Sequence, residues 1–253
     1  MLNKRSQSLA IGAVVIACIG GSVAWAQSPQ SPRWPETGEY NPVINPDDFV
    51  PQVNNQYFTL KPGTKFSYET KTPRGLERVE EAVTNETKKV MGVTTTVVRV
   101  REWLNGVLKE DSRDWYAQDK AGNVWYFGEA VDKYVDGKLA NHKGSWEAGV
   151  GGAKPGLIMP GNPRVGETFR QEYHKGIAED MGTIVATDAK VTVPHATFEN
   201  CLQVHDWTLL KPGADVKYYC PAIGFMALEL EKGVADVQRV ELVSVTSDSS
   251  PTE

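Results

Sequence analysis

The chain has 253 residues, with 27 Lys and Arg against 32 Asp and Glu, a net charge of −5 and 40% hydrophobic residues. That length suits one large β domain or two small ones. The acidic balance and the lack of any basic run or stripe argue against nucleic acid and anionic membrane surfaces as partners.

Residues 1–26 read as an export signal. Lys4 and Arg5 precede an apolar run from Leu9 to Ala24, and Ala24-Trp25-Ala26 fits a signal-peptidase site. The run is too short for a typical membrane span, so no transmembrane segment is expected. Val15-Ile16-Ala17-Cys18 also resembles a lipobox, although Ile19 suits one poorly. The expected location is therefore periplasmic or extracellular. A lipoprotein of the outer membrane or cell surface, anchored through Cys18, is the alternative.

Residues 27–54 are rich in Pro, Ser, Asn and Gln and read as an extended arm, with Trp34, Tyr40 and Phe49 as docking points. A single β-rich domain is expected over 55–246, followed by a polar, disordered tail at 247–253. Within the domain, Tyr57–Leu60, Lys65–Glu69, Val79–Thr84, Thr94–Trp103, Val107–Ala117 and Val124–Gly128 have strand character. Asn105-Gly106 predicts a type I′ hairpin turn, because both central positions need positive φ. Asp136-Gly137 is a further turn signal. Short helical pieces are expected around Trp146–Gly149 and Ile177–Met181.

The chain also echoes itself. The segment Lys61–Glu69 resembles Arg164–Tyr173, and Phe66 and Phe169 are 103 residues apart. Val98–Trp103 matches Leu202–Trp207, and Trp115-Tyr116 matches Tyr218-Tyr219. The expected fold is thus mostly β. Antiparallel sheets come from two duplicated meander units, about 57–127 and 164–230, arranged as a sandwich, a half-barrel or one curved sheet. A short helix-containing insertion, 128–163, joins them. In each unit Val98 and Val100, or Leu202 and Val204, share one face, and Arg99 and Arg101, or Gln203 and His205, the other. Cys201 and Cys220 correspond to Val97 and Ala117, on neighbouring strands. In an exported chain that placement predicts a disulfide across a hairpin.

Val193–Val204 (VPHATFENCLQV) followed by Lys217–Gly224 (KYYCPAIG) resembles a signature of secreted, lipoprotein-like bacterial β-sheet proteins, VPxGTFxxCxxV followed by YYxPGVGxV. The glycine of the first motif is missing here. The likeness covers the last third of the chain and implies a β fold and an exported protein; it carries no chemistry.

Candidate site residues gather in and around the insertion. Tyr126, Tyr134 and Trp146 offer broad apolar contact with a polar tip. Glu129, Asp132, His142 and Glu147 accompany them, and Glu172 and His174 follow two apart on a strand. These nine residues are read as binding a small ligand, a glycan or a protein partner. The alternative is a carboxylate- or metal-dependent hydrolase using Glu129, Glu147, Glu172 and His174. The spacing matches no metal motif; Asp119–Asn123 resembles a calcium loop without its other carboxylates. No nucleophile elbow, zinc motif or cofactor motif occurs, and neither a metal nor a cofactor is expected.

Overall fold

The computed structural model describes residues 39–211, 213–232 and 237–247. The expected export signal, Cys18, Trp34 and the expected tail from residue 248 lie outside the described residues.

A 3₁₀ turn, Pro46–Asp48, leads into β1 (Phe49–Val50), which pairs with a later strand. A small hairpin follows, β2 (Val53–Asn55) with β3 (Phe58–Leu60). Five long strands then form a meander: β4 (Thr64–Thr72), β5 (Gly75–Val90), β6 (Val93–Leu104), β7 (Val107–Asp119) and β8 (Val124–Val135). Three short strands, β9 (Lys138–Asn141), β10 (Trp146–Glu147) and β11 (Lys154–Met159), fold back along β8 one after another. Next come β12 (Thr168–Arg170), β13 (Glu172–Tyr173), β14 (Asp180–Thr192), β15 (Thr197–Thr208), β16 (Ala214–Cys220), β17 (Phe225–Lys232) and β18 (Val237–Ser247).

All strands except β2 and β3 join one antiparallel sheet, whose main path runs β12-β14-β15-β16-β17-β18-β4-β5-β6-β7-β8-β11-β13. The two ends of this path meet again. β11 touches β12, and β13 touches β14, so the sheet curls into a nearly closed barrel. The strand succession β4 to β8 has the same neighbour order as β12, β14, β15, β16 and β17. The expected mostly-β, antiparallel architecture therefore stands, as one curved sheet.

Two expectations need correction. Residues 128–163 contain no helix: Trp146 and Glu147 form β10, and Lys154–Met159 form β11. The 3₁₀ turn is the only helical element among the described residues. The insertion is strand because β8 is longer than expected and its open edge needs partners. Gly128 and Gly156 permit the close approach. A Cβ on Gly128 would lie 2.3 Å from the Trp146 carbonyl oxygen, and one on Gly156 2.0 Å from that of Gln171. The second correction is at the C-terminus: Ser247, expected in the tail, is in β18 and pairs with Thr64.

Asn105-Gly106 and Asp136-Gly137 have the positive φ values a type I′ turn requires, and so does Met91-Gly92, which carries no standard turn signature. Tyr40 and Phe49 dock as expected. The Tyr40 hydroxyl donates to the Pro155 carbonyl at 2.7 Å, and the Phe49 ring meets Phe127 edge-on. The outward side chains of β5 to β7 are charged and paired, Arg99 with Asp111 and Arg101 with Glu80. Cys201 and Cys220 are joined by a disulfide across β15 and β16, beside the Leu202–Tyr219 pair.

Candidate functional site: an acidic chamber behind one closed end

The turns divide between two ends of the barrel. At one end, Phe58 of the β2–β3 hairpin packs on Tyr116, Tyr219 and Phe225, which come from both halves of the chain. Phe66 stacks on Phe225 at 4.5 Å, and Thr59 N–H donates to the Gly224 carbonyl. Aromatic rings and the disulfide close this end; Phe66, Leu202 and Cys220 have no more than 1% exposure.

Towards the other end, the same inward face changes chemistry. Register and alternation put Val83 and Glu81 on one face of β5, Val98 and Glu102 on one face of β6, and Tyr116 and Asp114 on one face of β7. Asp114 pairs across with Glu129 of β8, and Glu129 with Trp146 of β10. Glu172 and Asp180 come from the seam where the sheet meets itself. Lys217 and Glu229 face in from β16 and β17. Protein crowds these groups on most sides. Yet Glu81, Asp114, Glu129, Glu172 and Glu229 all keep partial exposure, and Glu102 nearer the mouth is exposed. They form an inward-facing acidic region in partial contact with solvent, termed the chamber.

The electrostatics follow from that placement. Burial, with Asp114 beside it, pushes the Glu81 carboxyl up to about 8. Burial raises Asp114 to about 7, against hydrogen bonds from Ser112 and Tyr116 that favour its charge. Burial and then Asp114 and Glu110 raise Glu129 to about 8. Glu172 is held well above the carboxylate range by burial, then by Asp180 and Glu129; Asp180 is within hydrogen-bonding reach of it. Lys133 and Lys217 are the cations that counter these carboxyls from inside, and both are already paired. Lys133 holds Glu110 at 2.6 Å, and Lys217 holds Asp206 at 2.8 Å. Burial works against the Lys217 charge, but Asp206 and Glu229 outweigh it.

The nine expected site residues separate into three groups. Tyr126, Glu129, Trp146 and Glu172 come together on the chamber wall. Tyr126 stacks on Tyr116 at 4.7 Å and meets Trp146 edge-on at 5.3 Å. The Trp146 indole stands beside Glu172 and acts on its carboxyl without hydrogen-bonding alignment. Trp146 Nε1 and Glu172 Oε2 are thus buried with no hydrogen-bond partner. Tyr126 and Trp146 are wall residues rather than open aromatic surface, at 7% and 4% exposure. His174 stands apart from both other groups, beside the Gly149–Gly152 turn. A Cβ on Gly151 would lie 3.5 Å from its Nε2.

Asp132, Tyr134, His142 and Glu147 belong to the outside or the rim. Asp132 and His142 pair with each other at 2.7 Å on the surface. Glu147 pairs with Lys88 at 2.7 Å, and that ammonium lies 3.4 Å over the Trp115 ring, on the outer face. Tyr134 lines a rim hollow of about 380 Å³ with Arg74, Glu102 and Trp103. The calcium-like Asp119 carboxylate is occupied by its own turn. It accepts from the Ala121 and Asn123 amides, Asn123 Nδ2 and Trp125 Nε1. Among the described residues no group of three His, Cys, Asp or Glu side chains is placed to hold a metal ion.

Glu81, Asp114 and Lys217 were not among the expected residues. For Glu81 the signal was in the alternation, in phase with Val79 and Val83, and the same holds for Glu102, which continues the face of Val98 and Val100. A carboxylate in phase with an apolar face belongs to the inside of a closed sheet. No family model matches this chain, and no match was found among curated proteins or solved structures.

Proposed function

We propose that this is an exported, non-catalytic binding protein whose chamber takes a small ligand carrying positive charge. One observation carries the reading: Glu81, Asp114, Glu129 and Glu172 face one solvent-accessible interior whose cations, Lys133 and Lys217, are already paired. Packing several carboxyls together is costly unless they hold protons or meet an external cation. A bound amine would replace the protons and recover the Coulombic attraction. Tyr126 and Trp146 supply the apolar wall that such a site needs beside its charge. Export is supported by the sequence of residues 1–26, the cysteine pair and the likeness of the last third to secreted β-sheet proteins.

The hydrolase reading has less support. It needs Glu129, Glu147, Glu172 and His174 in one place, and Glu147 is engaged with Lys88 on the outer face.

A thermal-shift and calorimetric comparison of small amines and polyamines with neutral sugars tests the proposal. An amine should raise the melting temperature at neutral pH and release protons as it binds. Glu129→Gln and Glu172→Gln should fold and weaken that binding about tenfold or more, the loss of one charge-assisted contact. Amine affinity unchanged in both variants would refute the chamber as the site.

A further inference from the structure

The open end carries a second pattern, independent of what the chamber holds. Of twelve large hydrophobic residues exposed among the described residues, eight lie at the turns of this one end. Almost every one has a basic neighbour in its own turn. Leu76, at the start of β5, follows Arg74 of the β4–β5 turn, and Val107 precedes Lys109 at the start of β7. Leu139 follows Lys138 in the β8–β9 hairpin, and Ile177 follows Lys175 before β14. Leu209 and Leu210 precede Lys211 between β15 and β16. Val237 starts β18, next to residues 233–236, which lie outside the described residues.

The register places these turns side by side. Asn105 N–H donates to the Leu76 carbonyl, and Leu209 N–H to that of Glu179. Acids stand at the same turns too, and two are engaged: Glu77 pairs with Arg74, and a Glu179 oxygen accepts from Gly176 N–H. Asp136, Glu102, Glu110 and Asp215 stand at this end as well. The sequence shows no basic stripe, because each turn contributes one or two cations from a distant stretch; the barrel assembles them into a ring.

We infer that this protein docks its open end on an anionic lipid surface, inserting the turn aliphatics at the headgroup boundary and setting the ring of Lys and Arg against the lipid phosphates. The chemistry matches what interfacial binding requires, modest apolar insertion with electrostatic attraction. Single aliphatics alternate with cations around a rim here, rather than gathering into the contiguous buried core that a stable protein interface packs. At the opposite end the pattern occurs once, at Met91 after Lys88 and Lys89 in the β5–β6 turn; its other turns carry Pro62-Gly63, Ala121-Gly122 and Pro194.

Vesicle flotation of the purified chain lacking residues 1–26 tests this. The protein should float with equimolar phosphatidylglycerol–phosphatidylcholine vesicles at low salt and not with phosphatidylcholine alone. High salt should reduce bound protein about tenfold, because surface charge is screened within a Debye length. Leu139→Asp with Ile177→Asp should abolish flotation, and Lys138→Glu with Lys175→Glu should do so on anionic vesicles. Val165→Asp, an exposed position towards the closed end, should leave it unchanged, and circular dichroism will confirm that each variant is folded. Failure of the folded wild type to float with either vesicle would overturn the inference. So would equal loss in Val165→Asp, or binding to both vesicles that salt and the rim variants leave untouched.

Discussion

The two ends of this barrel are built from the same strands and differ in what they do with the inward face. At the closed end the inward positions are aromatic and aliphatic, and Phe58 ties together rings from β7, β16 and β17. At the open end the same strands turn carboxyls inward and leave them partly wetted. The apolar end supplies the folding free energy, through burial and close packing. That surplus lets the other end hold groups that are unfavourable inside a protein. A site of this kind needs a rigid, well-packed base more than it needs any single residue of its own.

The largest expected effect lies at the base. Phe58→Ala removes the ring that joins both halves and should cost about 3–5 kcal/mol by urea denaturation. A cost under about 1 kcal/mol would mean that the hairpin merely covers the end. Next, replacing Cys201 and Cys220 with Ala should cost about 2–4 kcal/mol, less where the chain relaxes. Mass spectrometry of protein isolated without reductant should find neither cysteine alkylatable.

Stability should also depend on pH through the open end. Glu81, Asp114 and Glu129 have folded values raised above those of the unfolded chain. The folded state therefore binds more protons than the unfolded state between the normal carboxylate range and about 8. Stability should be highest near the lower edge of that window and fall as pH rises through it. After screening by chamber solvent, the loss should be on the order of 1 kcal/mol per carboxyl. Glu81→Gln should flatten the slope, and a stability that rises with pH there would contradict the assignment. The smallest effect belongs to the outer face. Glu147→Gln breaks an exposed pair with Lys88 and should cost about 0.2–1 kcal/mol, with amine binding unchanged.

Much of the architecture was legible in the sequence. The strands, the Asn105-Gly106 turn and the position of the cysteine pair follow from period-two alternation and turn chemistry. The strand order shared by β4 to β8 and by β12, β14, β15, β16 and β17 is what a duplication would leave; superposition of 57–127 on 164–230 in a determined structure is its test. The insertion misled because Trp146 and the glycines around it suggested a local helix and a mobile loop. Its structure is dictated by the open edge of β8, a partner distant in sequence. The site was half legible. Glu129 and Glu172 carry their chemistry openly, but which carboxyls face inward depends on how the sheet closes. The same holds for Glu147, whose place beside Trp146 suggested a shared role until alternation sent it to the opposite face.

The claim that one end holds a chamber of protonated carboxyls is tested most directly by a carbon-detected NMR pH titration of the Glu and Asp side chains. Glu81, Asp114 and Glu129 should lose their protons near neutrality, Asp114 at about 7 and the other two at about 8. Outward-facing carboxylates such as Glu80 should titrate well below them. If all of these carboxyls titrate together in the ordinary acidic range, the interior is no different from the surface and the account fails.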